Sequence, residues 1–257
     1  MVEKSLRRVL LTNDDGIDAP GMALLERAAS LIAEEVWIVA PALDKSGVSN
    51  AISLREPLRA VSRGERRYGV YGTPADCVAL AINQIMKDAP PDLVLSGVNA
   101  GSNLGFETLL SGTVGAAMTG MLMGVPSIAL SQNDSADGTV NWSCTERYLL
   151  ETLQKLVKLS WDSEVCLSVN FPTVAPEEVK GLKVTTQGRG NVEKLSATKT
   201  LDPHGEAYYW IRIQEGEPET REDGEIVAVE KGYITLTPLT YERTAWQEFV
   251  RLSEVVS

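Results

Sequence analysis

The beginning of the chain combines two short apolar runs with an amphipathic segment between them. Residues 8–12 and 36–41 are rich in Val, Leu and Ile, which is typical of strands covered on both faces. The segment between them starts at Asp18 and Pro20, and its apolar residues recur at helical spacing: Leu24, Leu25, Ala28, Leu31 and Ile32. This order is typical of a right-handed βαβ unit, so the sequence predicts an α/β protein.

The same alternation continues along the chain. Apolar runs predict further strands at residues 91–96, 126–131 and 165–171, extended sequence follows the second strand at 52–61 and 68–71, and periodic segments predict helices at 111–124 and 145–159. Thr73, Pro74 and Asp76 form the pattern of a capped helix start, which favours a capping role for Asp76 over a chemical one. We therefore expect a Rossmann-like, three-layer fold around a mostly parallel sheet.

The last part of the chain has a different character. Residues 183–238 contain alternating aromatic and β-branched runs, such as 208–213 and 233–237, with an acidic loop at 215–225 between them. Such runs predict hairpins, and a terminal helix is expected at 243–255. We therefore divide the chain into a Rossmann-like core, 1–180, and a structurally continuous β-hairpin-rich extension with a terminal helix, 181–257.

Composition limits the classes of partner. With 257 residues and 44% hydrophobic content the chain can bury a large core, and its net charge of -11 argues against a surface for long nucleic acids. No apolar run has the length of a membrane span or a signal-peptide core. Cys77, Cys144 and Cys166 are odd in number and lie in apolar segments, as expected of reduced core residues. These features predict a soluble, cytoplasmic protein.

Two adjacent carboxylates, Asp14 and Asp15, directly follow the first strand. Such a pair costs free energy unless a positive group lies between the two charges, and a divalent cation is the simplest candidate. Ligands of open α/β sheets collect at the carboxyl ends of the strands, where Ser46 and Asn99 also follow strands. Turn and helix capping by Asp is the structural alternative for the pair.

The chemistry available at these strand ends is that of oxygen donors. Carboxylates combined with neutral oxygens suit Mg²⁺, Mn²⁺ or Ca²⁺. His204 is the only histidine and lies in a turn-like sequence. A zinc site of clustered His and Cys is therefore not expected, and a Ser-His-Asp triad could be built only through His204.

A helix start at Ser111, Gly112 and Thr113 is the second candidate feature. Free backbone N–H groups and the helix dipole favour an anion there, while N-capping by Ser111 or Thr113 is an alternative that can coexist with anion binding. The Gly-rich segment 97–105 is expected to be a loop that allows close backbone approach. It lacks the Lys of a P-loop and the spacing of a dinucleotide fingerprint.

Several segments in a fixed order carry a resemblance to a known family. Residues 12–16, 41–46, 72–77, 96–105 and 111–114 together are similar to the SurE (survival protein E) family of nucleotidases. The likeness extends to 208–210 and 232–238, so it covers nearly the whole chain. It implies a divalent-metal-dependent phosphatase, a phosphoric monoester hydrolase of the 5′/3′-nucleotidase type, that hydrolyses nucleoside monophosphates to nucleoside and phosphate.

The resemblance also implies roles for individual residues. One divalent ion per subunit, Mg²⁺, Mn²⁺ or Ca²⁺, would be held by Asp14, Asp15, Ser46 and Asn99. Phosphate would be bound by Asn103, Ser111, Gly112 and Thr113, and catalysis would use Asp14, Asp15 and Asn103. Ser102 departs from the many relatives that have Pro there, which could loosen the loop but removes no ligand. The β-rich extension and terminal helix would form a homodimer, which could pair into a homotetramer.

Three other classes of protein are alternatives to a nucleotidase. A signalling receiver domain needs a phospho-acceptor Asp after the third strand and a Lys after the fifth, where this chain has residues 96–99 and 131–133 without either. A metal-dependent deacetylase would call for histidine ligands, which the chain lacks. A noncatalytic nucleotide-binding module would bind a nucleotide without releasing phosphate.

Overall fold

The strands and helices are taken from a computed structural model that describes residues 4–135, 138–190, 192–217 and 220–256. The strands in these ranges are β1 Leu6–Thr12, β2 Ala33–Pro41, β3 Arg59–Gly64, β4 Arg67–Tyr71, β5 Leu93–Ala100, β6 Ser127–Gln132, β7 Cys166–Phe171, β8 Leu182–Val184, β9 Val192–Leu201, β10 Ala207–Glu215 and β11 Ile234–Leu239. The α-helices are α1 Pro20–Ile32, α2 Pro74–Leu80, α3 Gly112–Leu122, α4 Ser143–Leu156, α5 Glu225–Glu230 and α6 Trp246–Val256.

Nine of these strands form one sheet in the order β3-β4-β2-β1-β5-β6-β7-β11-β8. The strands from β4 to β7 in this order are parallel to their neighbours. The outer pairs β3/β4 and β7/β11 are antiparallel, and β8 pairs parallel with β11. The carboxyl ends of the central strands therefore lie along one edge of the sheet, where ligands of open α/β sheets bind.

Both faces of the sheet are covered, and alternate residues of β1 face the two sides. Val9 and Leu11 belong to the apolar cluster that contains the buried faces of α1 and α4. Leu10 belongs to the cluster that contains buried residues of α2. Since successive side chains of a strand point to opposite faces, helices lie on both sides of the sheet. The predicted three-layer α/β fold with a mostly parallel sheet is confirmed.

The strands β9 and β10 form a separate two-stranded hairpin. They pair antiparallel from Ala207 opposite Leu201 onward. His204 lies in the connecting turn and is exposed, as predicted. Large apolar side chains on both faces of β10 are exposed: Tyr208, Tyr209, Trp210, Ile211 and Ile213. This hairpin matches the predicted run at 208–213.

Four local predictions were wrong. The segment 97–105 is not all loop, because β5 runs on to Ala100 with an irregularity in its pairing between Ser96 and Asn99. The run at 233–237 is not part of a hairpin but pairs with β7 in the main sheet. A helix, α5, follows the acidic segment, and the extended region after the second strand forms a strand only from Arg59. The paths of β5 and β11 depend on partner strands distant in sequence, whereas β3 pairs with the adjacent β4.

Cys77, Cys144 and Cys166 are all buried and form no disulfide, as predicted. Among the helices in the described ranges, none has the length and apolar character needed to cross a membrane.

Candidate active site

The site lies where β1 and β5 end side by side. Thr12, the last residue of β1, pairs with Ser96 of β5, and the chain then turns through Asp14 and Asp15. Beyond Ser96, the backbone of β5 passes close to its neighbours. A Cβ on Gly97, whose φ is +139°, would lie 2.3 Å from the carbonyl oxygen of Leu130. Only glycine fits this path, which brings Asn99 and Ala100 to the acidic turn.

Asp14 is almost completely buried, with 3% of its surface exposed. The Thr113 hydroxyl donates a hydrogen bond to its Oδ1. A Cβ on Gly112 would lie 2.8 Å from the Cβ of Asp14, so the first turn of α3 is packed against the carboxylate. Burial raises the pKa of Asp14, and the hydrogen bonds from Thr113 and from the backbone at Gly112 oppose that rise.

Asp15 is partly buried, and its Oδ2 accepts a hydrogen bond of 3.0 Å from the backbone N–H of Ala100. Burial and then the nearby charge of Asp14 raise the pKa of Asp15 to about 6. Among the ion pairs of the described residues, none joins a Lys or Arg to Asp14 or Asp15. Within the described residues, the two carboxylates therefore have no Lys or Arg side chain as a counter-charge.

Asn99 presents an oxygen to the same place. Its Nδ2 donates to the carbonyl oxygen of Gly101 at 2.9 Å, which turns its Oδ1 toward Thr113. The oxygen of the Thr113 hydroxyl lies 3.4 Å from that Oδ1, and the hydroxyl donates a hydrogen bond to Asp14. The structure thus brings together Asp14, Asn99 and Thr113, with Asp15 bound to the residue next to Asn99.

Ser46 lies in a loop that is attached to the acidic turn. The backbone N–H of Lys45 donates to the carbonyl oxygen of Asp14 at 2.8 Å, and the N–H of Ser46 donates to Asp44 Oδ1 at 2.7 Å. The Ser46 side chain is exposed. Within the described residues, its hydroxyl makes no hydrogen bond to the carboxylates or to Asn99. The structure brings the loop, but not the hydroxyl, into contact with the pair.

Asn103 is buried beside the ends of the next two strands. Its Nδ2 donates to Ser131 Oγ at 2.8 Å, and its backbone N–H donates to Asn170 Oδ1 at 2.9 Å. Asn170 Nδ2 in turn donates to the carbonyl oxygen of Asn103 at 3.3 Å. Asn103 is therefore held by β6 and β7, and it makes no direct hydrogen bond to Asp14 or Asp15 in the described structure.

The helix start at Ser111 is an N-cap, as one of the two sequence readings predicted. The Ser111 hydroxyl accepts a hydrogen bond of 3.0 Å from the N–H of Val114. Thr73 and Asp76 form the predicted capping box at the start of α2. At α3 the first-turn N–H groups face Asp14, so the position that favours an anion already holds a carboxylate.

The residues at this edge fit a hard divalent cation. They supply two carboxylates with no Lys or Arg counter-charge in the described structure, the amide oxygen of Asn99 and, in the attached loop, the hydroxyl of Ser46. Asn13 Oδ1, in the same turn, is buried and has no hydrogen-bond partner among the described residues. Among the residues that the structure describes, no cluster of three His, Cys, Asp or Glu side chains could hold a metal. A metal here would therefore depend on neutral oxygens as well as the pair.

Sequence reasoning missed the residues that support Asn103. Ser131 and Asn170 are polar residues near the carboxyl ends of the buried strands β6 and β7, the same signal that selected Asn99. That signal could have found them. Glu225, which binds the N–H of Gly105 from the far side of the loop, offers no such signal, because its sequence context is an acidic segment.

Comparisons with known proteins agree on one family. The family model described as "Survival protein SurE" matches residues 9–194. A 5′-nucleotidase SurE 1 of Burkholderia lata is 52% identical over 245 residues, covering 95% of each chain. A 5′-nucleotidase SurE of Paramagnetospirillum magneticum is 41% identical over 244 residues, covering 95% of this chain and 94% of the relative.

A solved structure gives the same result. The crystal structure of a SurE protein from Aquifex aeolicus superposes with a TM-score of 0.81 and 35% sequence identity. The match covers 97% of this chain and 100% of that one. The similarity therefore includes the C-terminal part as well as the parallel core.

Proposed function

The chain belongs to the survival protein SurE family, and from this premise we propose that it hydrolyses nucleoside monophosphates to nucleoside and phosphate with the help of a divalent cation. It is a phosphoric monoester hydrolase of the 5′-nucleotidase type, the activity in the names of its relatives. The observation that carries the proposal is the meeting of Asp14, Asp15, Asn99 and the first turn of α3 at one edge of the sheet.

The unpaired carboxylates are the reason for placing a cation there. Asp14, Asp15, Ser46 and Asn99 would hold one Mg²⁺, Mn²⁺ or Ca²⁺ per subunit, and the loop of Ser46 is attached to the acidic turn through the N–H of Lys45. Such an ion, when bound, polarises a phosphoryl oxygen and lowers the pKa of a bound water. Burial disfavours the charged form of Asp14, and burial and then the charge of Asp14 disfavour that of Asp15; a positive charge between them would stabilise both charged forms.

The chain's own donors would hold the phosphoryl group. Asn103 Nδ2 makes one hydrogen bond, to Ser131, so one of its two N–H groups remains for a phosphate oxygen. The first turn of α3, residues 111–113, adds the positive end of the helix dipole, because its N–H groups at Gly112 and Thr113 already bind Asp14. Donors fixed in advance stabilise the charge that develops on the phosphoryl oxygens, and this is where Asn103 contributes to catalysis.

The two carboxylates would divide the remaining work. Asp14 already accepts hydrogen bonds from Thr113 and from the start of α3, so its lone pairs are largely used. Asp15 accepts one hydrogen bond, from Ala100, through Oδ2. We therefore assign orientation or deprotonation of the attacking water to Asp15, which keeps more of its lone pairs, while both carboxylates would remain ligands of the cation.

The alternative functions are not favoured. A deacetylase-type site would need histidine ligands, and the single histidine lies in the turn between β9 and β10. A noncatalytic nucleotide-binding module would not account for relatives that are named as nucleotidases over nearly the full chain. The receiver-domain alternative lacks its acceptor Asp and its Lys.

We also propose that two copies associate through the hairpin β9/β10 and helix α6. An isolated two-stranded hairpin is marginally stable in water, yet the apolar side chains of β10 are exposed on both faces. Helix α6 likewise exposes Trp246, Phe249 and Val255. A homodimer, which could pair into a tetramer, would cover both elements. A cytoplasmic location stays a prediction from the sequence.

Phosphate release tests the proposal directly. The purified chain would be assayed with 5′ and 3′ nucleoside monophosphates, with nucleotide binding measured in parallel. We expect stoichiometric release of nucleoside and phosphate from at least one 5′ ester. Saturable nucleotide binding without any phosphate release would instead support the noncatalytic alternative.

A further inference from the structure

A buried carboxylate on the far side of the Asn103 loop has no part in the phosphate and cation binding described above. Glu225, the first residue of α5, has 0% of its surface exposed. Its Oε1 accepts a hydrogen bond of 2.6 Å from the backbone N–H of Gly105, and its Oε2 accepts one of 2.6 Å from the Thr237 hydroxyl. Burying a carboxylate is costly, so a fold that keeps one needs strong, well-placed hydrogen bonds to it.

The anchor behind Glu225 is part of the main sheet. Thr237 lies in β11, and its hydroxyl is 2.8 Å from that of Thr185. The backbone N–H of Glu225 donates to the carbonyl oxygen of Thr186 at 3.0 Å. The Glu225 backbone is thus held by Thr186 and its carboxylate by Thr237 of β11. The carboxylate therefore presents a rigid acceptor to Gly105.

Gly105 lies between two groups of the candidate active site. Asn103 is two residues before it, and a short 3-10 helix from Gly105 leads to the N-cap Ser111. Gly105 has a φ of +54°, and a Cβ there would lie 2.4 Å from the backbone of Gly190, so this segment packs tightly on its outer side. The carbonyl oxygen of Gly105 also accepts a hydrogen bond of 3.0 Å from Gln187.

We propose that Glu225 is a positioning residue of the nucleotidase reaction, which holds Gly105 and thereby sets where Asn103 and the start of α3 meet the phosphate. The inference rests on the proposed function. Ser131 and Asn170 hold Asn103 from the sheet side, and Glu225 holds the same loop from the extension side. A displacement of about 1 Å in such donors is enough to lower the rate of a reaction about 100-fold.

The test compares Glu225→Met and Glu225→Gln with the parent enzyme. Met keeps the size of the side chain but removes both acceptors. Gln keeps an oxygen for Gly105 and can donate its N–H to Thr237, whose hydroxyl can turn toward Thr185. Ile234→Val is the control, because Ile234 is a buried residue of β11 that belongs to the main core cluster and not to the loop.

The measurements are kcat and KM on a nucleoside monophosphate, thermal unfolding, and hydrogen exchange of the Gly105 amide. For Glu225→Met we expect at least about tenfold faster Gly105 exchange and at least about tenfold lower kcat, with a smaller change in KM. Glu225→Gln should keep the Gly105 protection and at least about half of the parent kcat, as should the Ile234→Val control.

Two results would overturn the inference. One is a Glu225→Met enzyme that is folded and retains the parent kcat, which would leave Glu225 a purely structural role. The other is a Glu225→Gln enzyme that protects Gly105 but loses activity, and this comparison remains available if Glu225→Met does not fold. A parent enzyme that releases no phosphate would instead overturn the proposed function, and the role of Glu225 with it.

Discussion

Asp14 contacts two separate parts of the candidate site, the start of α3 and the loop of Ser46. It is buried, it accepts the Thr113 hydroxyl, and its backbone carbonyl holds the loop of Ser46 through Lys45. A buried carboxylate beside a second carboxylate is stable only with compensating positive charge or hydrogen bonds. This one residue therefore links the proposed cation to the start of α3.

Replacement of Asp14 by Asn tests that link. The amide keeps the shape but removes the charge, so we expect metal-dependent phosphate release to fall at least about 100-fold, which matches the loss of one strong electrostatic contact. Asp18→Asn is the control, because Asp18 is an exposed carboxylate of the same loop whose side chain is 76% exposed. Full activity in Asp14→Asn would contradict the proposed site.

The hydrogen bonds of Asp76 lead to a prediction about the stability of the folded protein and not about catalysis. Burial acts to raise its pKa, but hydrogen bonds from the Ser53 N–H and hydroxyl and from the Thr73 N–H, at 2.7 to 2.9 Å, outweigh burial and lower it. A lowered pKa in the folded state adds stability that is present above the unfolded pKa of about 3.9 and is lost as the pH falls through the folded value.

The variant Asp76→Asn should show this dependence. We expect its free energy of unfolding at pH 7 to be about 1–2 kcal/mol lower than that of the parent, since two charge-assisted hydrogen bonds and part of the helix cap are weakened. Below about pH 4 the difference should shrink, because the parent carboxylate becomes protonated. Urea unfolding at several pH values measures it, and a pH-independent difference would contradict the account.

At the scale of elements, α3 is the helix that the site depends on. Gly112 in its first turn lets the helix approach Asp14, because a Cβ there would meet the Asp14 side chain at 2.8 to 2.9 Å and Pro74 at 3.1 Å. These neighbours are a buried carboxylate and a rigid ring, so neither can easily move aside. The contact between helix and carboxylate therefore requires glycine at this position.

Gly112→Ala should displace the helix from Asp14. We expect about a tenfold or greater loss of kcat and a stability loss of about 1–3 kcal/mol from overpacking. Leu122→Ala, at the exposed end of the same helix, is the control and should behave like the parent. Kinetics and thermal unfolding of both variants measure the effect, and parent-like values for Gly112→Ala would show that the helix need not touch Asp14.

Which elements the sequence could predict depends on how local their causes are. The strands of the parallel core were predictable, because buried parallel strands are continuous apolar runs bounded by turn residues. The continuation of β5 beyond Ser96 was not, since its Gly and Asn residues read as a loop and only pairing with β6 makes it a strand. Helix α5 was missed because it is short and follows an acidic segment.

The candidate site shows the same division. Asp14, Asp15 and Asn99 were predictable from their places after buried strands, and the structure brings them together. The partners Ser131, Asn170 and Glu225 depend on tertiary contacts across 28, 67 and 120 positions of the chain. Ser131 and Asn170 share with Asn99 the signal of a polar residue near the end of a buried strand, but no local pattern pairs them with Asn103 or marks Glu225. The ligand roles assigned to these residues stay predictions.

At the scale of the whole molecule, the exposed hairpin β9/β10 leads to a prediction about the oligomeric state. Its exposed apolar residues need a cover, and we expect the chain to sediment at twice the mass of one chain or a higher even multiple. Ile211→Lys, at a residue that is 68% exposed, should weaken or abolish the dimer. Gln214→Lys adds the same charge at a polar position of β10 and should not.

Sedimentation equilibrium of the two lysine variants decides this point. A parent chain that is monomeric at micromolar concentration would contradict the proposed dimer. Equal masses for the parent and Ile211→Lys would show that association does not use this face of the hairpin.

This family member is a nucleotidase, and we propose that its carboxylate pair acts through a divalent cation. The most direct measurement is phosphate release from a panel of nucleoside monophosphates, before and after treatment with EDTA and after Mg²⁺, Mn²⁺ or Ca²⁺ is restored. We predict that EDTA abolishes release and that at least one of the three ions restores it. Undiminished release in the presence of EDTA would contradict the assignment of a cation to Asp14 and Asp15.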